Sequence, residues 1–591
     1  MLGTAQDLAI KNKSEHIIIK KDTSFVKHIS VELKKSDEAF IYPIFYDTEL
    51  EVISNIQFYT KKGDRFKLQK NIFIQEDEVR LDYIASKRVK SIFIPAETEV
   101  KVTYSVACKE LMYFTDLRFF SYNEIDTLTY QIDIPKTFRF HHNIIYKDSL
   151  DYLEIDSVAV GDITKWKVKV APVKVVSNPL MLFGIYKNMK VPLMRSLIVP
   201  VSYEGRPLNY MNDWYLEKVK SRRGLNPTVI QKVNELTEGV EDPKNLMEIL
   251  YKYVHNNFKY VAIEVGMGAF IPTHANEVFN NKYGDCKDLS NLLSEILNYK
   301  GIKSDIAMAA TFNHISDCDF PSLSSANHLI CVAYINKEPI VLDPTDPIHM
   351  PETPVESLQD RTILIINKDG GSFYKINRFS PKQNLIKYEI DITATNKGEV
   401  LTGDFKIHYN GISGNFLKRS YRQINREEHQ VTVKKFYEKV FGNQSIINFD
   451  INQKKKSIAA EGKINIKGKI FNDGDSTMLF IDFIPGLMET ESRETLLVGT
   501  HLGSNFSKEV HLRITMEDAF ETFEAMEHKY DDQGVSLNFK ITSPSEFVID
   551  CVYDFSIDYI SIEKENLQST NETLKMFKKI INEPIILEKK K

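Results

Sequence analysis

Apolar positions along the first 200 residues follow the period of two that is typical of β-strands. The clearest example is Val100, Val102, Tyr104 and Val106, which alternate with polar residues. Further strand-like runs occupy residues 17–20, 56–59 and 166–170. Because turn signals separate these runs, the pattern predicts an N-terminal antiparallel β-sandwich domain over residues 14–205.

The apolar spacing changes to a helical period after about Pro207. Segments 214–222, 228–237 and 246–255 have this spacing, and Pro243 occupies a position where helices commonly begin. This change predicts a second region, over residues 206–369, in which a helical lead-in precedes a mixed core.

Alternation returns after about Asp369. It is clear at Tyr388, Ile390 and Ile392, ahead of a hairpin-type turn at residues 396–398. A helix is expected near residues 416–441, and a last amphipathic segment near 574–581. Residues 380–591 are therefore predicted to form C-terminal β-rich domains with a helix, and the whole chain an α+β multidomain protein.

Length and charge narrow the class of protein. The chain has 591 residues, which corresponds to about three to five domains. Lys and Arg number 76 against 81 Asp and Glu, so the formal net charge is -5. This balance argues against a dedicated nucleic-acid binder, which needs a concentrated basic surface. No run of about 18 apolar residues exists, so no membrane span is expected.

The cysteine and histidine patterns predict neither a disulfide framework nor a metal site. Five cysteines are present, an odd number, and none forms a C-x-x-C pair. His141 and His142 are adjacent, so on a strand they should point to opposite faces. Residues 472–475 indicate a tight turn in preference to a calcium loop. No cofactor is expected.

The first residues are compatible with export. Gly3 and Ala5 are small and resemble the end of a signal-peptide cleavage region. An extracytoplasmic location, periplasmic or secreted, is therefore expected, although a few unstructured leading residues would look the same and a cytoplasmic protein would fit too.

One segment combines a cysteine with a helix start. From Leu289 the apolar residues recur at helical spacing as far as Leu297, and Gly301 is a plausible helix end. This places Cys286 at the N-terminus of the predicted helix, where unpaired amides and the helix dipole favour a thiolate. Gly284 would allow close approach of the backbone to a substrate. The alternative is that Cys286 is a small buried apolar residue.

A base and an acid follow in a predicted hairpin. His328 opens one apolar strand-like run and Asp343 closes the next, with a turn near Asn336 and Lys337. With that turn, residue numbers across the ladder sum to about 673, so His328 faces Thr345 and Asp343 is its diagonal neighbour. A lone strand histidine is more often structural. The three residues together nevertheless suggest a catalytic triad in the chain order cysteine, histidine, aspartate.

These segments resemble a known family. Residues 283–288 (YGDCKD), Asn327-His328 and residues 342–345 (LDPT) are similar to motifs of the transglutaminase-like superfamily, a branch of the papain-like cysteine enzymes. The similarity extends over residues 226 to about 365, and is strongest to bacterial multidomain proteins that carry this core between β-sandwich domains. It implies Cys286 as nucleophile, His328 as general base and acid, and Asp343 as the group that orients the histidine.

One element of the family does not carry over. Eukaryotic transglutaminases stabilise the oxyanion with an indole near the nucleophile, whereas Trp166 and Trp214 both lie well upstream here. The amide of Cys286 is one candidate donor. Tyr283 and Tyr260 are guesses for the second donor. This departure favours hydrolysis over cross-linking.

Three functions remain open from the sequence. The leading one is a cysteine amidase or peptidase that cleaves a peptide or protein substrate through a thioacyl intermediate. The second is a protein-glutamine acyltransferase that cross-links glutamine to lysine. The third is a catalytically silent extracytoplasmic binding or assembly protein. The oligomeric state is not predicted.

Overall fold

The structure, a computed structural model, divides into two compact units. It describes residues 9–590 apart from 71, 80–83, 177–188, 265, 352, 396–398, 424–428, 454–457, 484–499, 502–503, 533 and 563. The first unit contains residues 1–345 and 360–376, and the second contains residues 346–359 and 377–591. The domain boundaries expected from sequence, 14–205, 206–369 and 380–591, stay predictions.

The first two hundred residues are strands. They are β1 (Ile10–Ile19), β2 (Phe25–Leu33), β3 (Phe40–Asp47), β4 (Glu51–Lys62), β5 (Arg65–Gln69), β6 (Ile74–Glu78), β7 (Ile84–Ala85), β8 (Lys87–Ile94), β9 (Val100–Cys108), β10 (Asp116–Arg118), β11 (Phe120–Ser121), β12 (Ile125–Pro135), β13 (Phe138–Ile145), β14 (Leu153–Val160), β15 (Ile163–Val170), β16 (Lys174–Val175) and β17 (Leu193–Pro200). The alternation at 100–106 is confirmed as β9, in which Val100, Val102 and Tyr104 are buried.

An eight-stranded sheet dominates this region, in the order β14-β15-β12-β1-β2-β9-β4-β5. Its inner face shares one hydrophobic core with the three-stranded sheets β3-β8-β6 and β10-β17-β13. The expectation of a purely antiparallel sandwich is wrong at two places, because β1 pairs with β12 and β11 pairs with β16 in parallel. These strands are joined by the long connection between them, and a parallel pair requires such a crossover.

The rest of the first unit is a mixed core. Its helices are α1 (Pro207–Val219), α2 (Pro227–Leu236), α3 (Pro243–Asn257), α4 (Ala275–Asn281) and α5 (Cys286–Tyr299). Its strands are β18 (Lys259–Tyr260), β19 (Ile263–Glu264), β20 (Tyr283–Gly284), β21 (Ser304–Ala309), β22 (His328–Ile335), β23 (Glu338–Leu342), β24 (Thr362–Ile366) and β25 (Ser372–Lys375). The three predicted lead-in helices are confirmed, and each begins with proline at its first or second position.

Helix α5 packs on a five-stranded sheet of order β23-β22-β21-β24-β25. Its apolar stripe is buried, from Leu289 to Leu297. The predicted end is also confirmed: Gly301 has φ +79°, and the amide of Ile302 donates to the carbonyl of Leu297 at 3.0 Å. The helix therefore fixes its first residue, Cys286, against this sheet.

The second unit is built on another eight-stranded sheet, of order β28-β29-β27-β26-β33-β36-β35-β34. The strands of this unit are β26 (Leu385–Thr395), β27 (Val400–Tyr409), β28 (Ser445–Gln453), β29 (Ile458–Lys467), β30 (Ile470–Asp473), β31 (Ser476–Leu479), β32 (Thr500–His501), β33 (Phe506–Thr515), β34 (Met526–Asp532), β35 (Val535–Ser545), β36 (Val548–Ile557), β37 (Ser561–Ile562) and β38 (Ile585–Glu588). The helices are α6 (Gly411–Gln423), α7 (His429–Val440) and α8 (Lys564–Asn582). Here too a parallel pair, β26 with β33, lies in the middle of the sheet.

Several local predictions fall in this unit. Strands β26 and β27 form the expected hairpin, although its turn at 396–398 lies outside the described residues. The predicted helix near 416–441 corresponds to α6 and α7, and the segment near 574–581 lies within α8. Asp473 pairs with Ser476 across a two-residue turn, which agrees with a tight turn at 472–475.

No helix of the described residues is long and apolar enough to cross a membrane. The export hypothesis rests on Gly3 and Ala5, and both lie outside the described residues.

Candidate active site

Cys286 is the first residue of α5, and an aspartate caps the helix before it. The carboxylate of Asp285 accepts hydrogen bonds from the amides of Lys287 and Asp288 at 3.2 and 3.3 Å. The amide of Asp285 in turn donates to the carboxylate of Asp288 at 3.2 Å, which completes a capping box. The cysteine side chain is thereby held at the positive end of the helix.

The position of Asp288 also explains why residue 284, just before the capping Asp285, is a glycine. Its second carboxylate oxygen accepts from the amide of Thr273 at 2.7 Å, so the carboxylate is tied to the loop before α4. A Cβ atom at position 284 would lie 2.6 Å from the Cβ atom of Asp288. Gly284 is therefore needed for close packing inside the protein, a role that the sequence analysis did not foresee.

Lys287 is a buried lysine next to the nucleophile candidate. Its side chain is 4% exposed, pairs with the carboxylate of Asp285, and donates to the carbonyl of Ile263 at 3.1 Å. The sequence analysis assigned it no role, because lysine in a first helical turn is usually solvated. Its contacts connect the helix start to the strand β19.

His328 and Asp343 meet as the hairpin register predicts. Strands β22 and β23 pair with Cys331 opposite Leu342, so the residue numbers sum to the predicted 673. His328 Nε2 and Asp343 Oδ2 lie 2.6 Å apart, and their side chains are 13% and 3% exposed. Such a short contact between buried groups is typical of a charge-assisted hydrogen bond.

Both oxygens of Asp343 are occupied. Its Oδ1 accepts from the amide and the hydroxyl of Thr345 at 2.9 and 2.7 Å. The hydroxyl of Tyr251, on α3, donates to the carbonyl of Asp343 at 2.9 Å. The sequence analysis did not assign these roles to Thr345 and Tyr251. Aspartate two residues before threonine is a turn signal that could have indicated the first of them.

The electrostatics of the pair favour a charged histidine. Burial alone would lower the pKa of His328, but the charge of Asp343 and hydrogen bonds to Asp343 and Cys286 hold this pKa well above its usual value. Burial opposes ionisation of Asp343 as well, yet the charge of His328 and the hydrogen bonds from His328 and Thr345 hold its pKa far below the usual value. The pair is therefore an imidazolium and a carboxylate at neutral pH.

The three predicted site residues thus come together. His328 is hydrogen-bonded to Asp343 and interacts electrostatically with Cys286, and because Nε2 contacts Asp343, Nδ1 is the ring nitrogen left for the thiol. Cys286 is partly exposed and packs against a hydrophobic cluster that includes Tyr215 and Leu329. Cys286 is the least buried of the five cysteines.

Only one of the two expected hydrogen-bond donors to an oxyanion can be assigned. Lys287 and Asp288 donate their amides to the capping carboxylate, whereas the amide of Cys286 has no acceptor among the described residues. Tyr260 and Tyr283 lie on the paired strands β18 and β20 and are 50% and 44% exposed. The role of Tyr260 or Tyr283 as the second donor stays a prediction.

The other four cysteines are buried. Cys108, Cys331 and Cys551 lie in the strands β9, β22 and β36, and Cys318 lies in a loop. Burial raises the pKa of each of these thiols. Among the described residues, no group of three or more His, Cys, Asp or Glu side chains could hold a metal ion.

The segment that contains these three residues matches a known protein family. Residues 230–344 match the family model of the transglutaminase-like superfamily, and this range contains Cys286, His328 and Asp343. This segment is a transglutaminase-like domain. The resemblance seen in the motifs is confirmed, as is the α+β multidomain class with β-rich flanks around that domain.

Solved structures extend the fold comparison beyond the transglutaminase-like domain. A candidate protease from Parabacteroides distasonis has 13% sequence identity, covers 99% of this chain and 100% of its own, and superposes with a TM-score of 0.61. A candidate cysteine protease from Cytophaga hutchinsonii has 11% identity over 60% of this chain and 86% of its own, with a TM-score of only 0.16. The first comparison shows a shared fold along the chain. No curated protein matches.

Proposed function

We propose that the protein is a cysteine amidase or peptidase that cleaves peptide-like amides through a thioacyl intermediate. One observation carries this proposal: a helix-terminal cysteine interacts electrostatically with a histidine that a buried aspartate holds at 2.6 Å. This is the geometry of an activated nucleophile, its base and the group that orients the base.

In the acylation step the Cys286 thiolate attacks the carbonyl carbon of the amide. The carbonyl oxygen becomes an oxyanion, and the unoccupied amide of Cys286 is placed to donate to it. The imidazolium of His328 then gives its Nδ1 proton to the leaving nitrogen as the carbon–nitrogen bond breaks. A free amine departs and a thioester remains on the sulfur.

In the deacylation step a water molecule replaces the amine. Neutral His328 takes a proton from the water while the oxygen attacks the thioester, and the carbon–sulfur bond breaks to release a carboxylic acid. Throughout both steps Asp343 holds the Nε2 edge of the ring at 2.6 Å, so Nδ1 stays directed to the reacting atoms.

Selective labelling of the thiol tests the proposal. We expect iodoacetamide to alkylate Cys286 in the folded protein at least tenfold faster than any of the four buried cysteines, because only this thiol is partly exposed beside an imidazolium. Peptide mapping by mass spectrometry after short exposures measures the five rates separately.

Matched variants complete this test. His328→Ala should slow alkylation of Cys286 towards the rate of an ordinary exposed thiol, while His255→Ala, which removes an imidazole from α3, should leave the rate unchanged. Equal labelling of all five cysteines in native protein would contradict the proposal.

The acceptor of the acyl group can be tested separately. A fluorescent primary amine is offered with a protein substrate, and both amine incorporation and new carboxyl or amino groups are measured. Hydrolysis without incorporation supports the amidase, whereas incorporation dependent on Cys286 would make the protein an acyltransferase. Labelling of Cys286 with neither reaction over a broad amide panel would favour a silent binding protein.

A further inference from the structure

A cleft of about 590 Å³ lies in the first unit, and none of the three triad residues lines it. Three phenyl rings line the cleft, from Phe140, Phe320 and Phe373. Its polar side chains are those of Arg206, His141 and His142, and no acidic residue of the described chain is among its walls. We call it the Arg206 cleft. Mostly apolar walls with a few convergent polar groups are typical of small-ligand sites.

The two histidines of the Arg206 cleft lie on β13, the outer strand of its three-stranded sheet. As adjacent strand residues they were expected to point to opposite faces, yet both line the same cleft. The ring of His142 is fixed between Phe140 and Trp166, at centroid distances of 5.1 and 5.3 Å. Burial lowers the pKa of both histidines, so they are neutral hydrogen-bonding groups at neutral pH.

Arg206 supplies the permanent charge. It immediately precedes α1, whose first residues Pro207 and Leu208 also line the cleft. Its Nε donates to the side-chain oxygen of Asn209 at 3.2 Å, and it forms no ion pair with a described carboxylate. The guanidinium therefore lies next to the positive end of a helix, and both features favour an anion.

The apolar walls are held by specific contacts. The guanidinium of Arg195 lies 5.3 Å from the centroid of Phe320, and the same arginine pairs with Asp319 and donates to the carbonyl of Asp317 at 3.1 Å. On the other side, the side-chain amide of Asn209 donates to the carbonyl of Gly370 at 2.8 Å, in the turn that leads to Phe373. The cleft is thus lined by four separate segments: β13, the start of α1, the loop at 320–321 and β25.

One contact relates this cleft to the active site. Phe320 and Leu208 pack against the hydrophobic cluster on which Cys286 also packs.

We propose that the Arg206 cleft binds an aromatic group that carries a carboxylate, as at the carboxyl terminus of a peptide that ends in an aromatic residue. The carboxylate binds Arg206, and the ring inserts between the phenyl groups of Phe140, Phe320 and Phe373. The binding itself does not require catalysis, whereas its role as a substrate subsite rests on the proposed function.

Calorimetric titration of the full chain with N-acetyl-phenylalanine and with its amide tests the proposal. We expect the acid to bind at least tenfold more tightly than the amide, because only the acid can form a charged pair with the guanidinium. Arg206→Gln should abolish this difference. Arg222→Gln, which removes a guanidinium beyond the other end of α1, should preserve it.

Equal affinity of the acid and the amide would overturn the proposal, as would an unchanged preference in Arg206→Gln or no binding of either compound. The titration involves no turnover, so its failure is separable from failure of the proposed function. Selective labelling of Cys286 together with no binding in the Arg206 cleft would contradict only the proposed binding site. Binding without selective labelling would instead contradict the proposed amidase function.

Discussion

The first turn of α5 and the middle of β22 each hold a cysteine of the transglutaminase-like domain, in opposite environments. Cys286 is partly exposed, at a helix start and beside a charged histidine. Cys331 is fully buried, pairs with Leu342 in the ladder, and has a pKa that burial raises. It lies only three residues along the strand from His328. We therefore expect a thiol to be activated by its position on a helix end and its access to the ring, and not by proximity in sequence to the histidine.

Replacement of each cysteine by alanine should give the largest difference between the two sites, in the rate of hydrolysis and in the free energy of unfolding. Cys286→Ala is expected to lower amide hydrolysis by about 10⁴-fold or more, because it removes the atom that forms the thioester. Cys331→Ala should leave hydrolysis per folded molecule within about twofold and instead lower the free energy of unfolding by about 1–2 kcal/mol, through a small cavity. Steady-state rates and denaturant unfolding measure the two effects.

A rate loss for Cys331→Ala as large as that for Cys286→Ala would erase the distinction between the two thiols.

Asp343→Asn should lower the reactivity of Cys286 without removing its thiol. The burial that lowers the pKa of His328 would then be opposed by less negative charge, so the imidazolium would be lost at neutral pH. We expect a fall in hydrolysis of about 10²- to 10⁴-fold, with alkylation of Cys286 slowed in parallel. An NMR titration of the His328 ring in both proteins checks the cause directly.

The same variant has a signed effect on stability. The folded-state pKa of Asp343 is depressed, so its carboxylate stabilises the fold above the unfolded value of about 3.9, and this contribution disappears as the pH falls through the folded value. The contribution of His328, whose pKa is raised, is full below about 6.5 and declines as the pH rises through its folded value. The unfolding free energies of wild type and Asp343→Asn should therefore begin to converge as the pH falls below about 4, and should meet only near the depressed folded-state pKa. A gap that widens on acidification would contradict this account.

Lys287→Met should lower the stability of the helix start without touching the reacting groups. The substitution leaves the carboxylate of Asp285 buried without its ammonium partner, and the expected loss in unfolding free energy is about 3 kcal/mol. Adding Asp285→Asn should recover part of it, because the buried charge is then removed as well. Chemical denaturation of the single and double variants gives both numbers.

An exposed lysine of the same region provides the control. Lys259→Met changes a side chain on β18 that faces solvent, so its effect should stay within about 0.5 kcal/mol. If Lys287→Met were equally neutral, the buried pair would have no part in positioning Cys286.

Local patterns predicted the centre of this site better than its surroundings. The apolar stripe of α5, the Gly301 end and the β22–β23 register depend on neighbours in sequence, and all three agree with the structure. The pairing of Lys287 with Asp285 and the contact from Tyr251 to Asp343 depend on burial by distant segments. No periodicity in the sequence encodes such burial.

The same limit explains why parallel strand pairing was not predicted. The parallel pairs β1–β12 and β26–β33 join strands that are far apart in the chain. Alternation predicts that a segment is a strand, but the direction of its neighbour is set by long connections whose paths the sequence does not display.

The parallel pair β1–β12 also has a consequence for the order of folding. Strands β1 and β2 form an antiparallel pair from adjacent segments, so they can associate as soon as both have been synthesised. The other edge of β1 must wait for β12, on the order of one hundred residues later, and until then its amides and carbonyls are a template for any other extended chain. Synthesis thus imposes an interval during which the growing protein depends on dilution or on a chaperone to remain unaggregated.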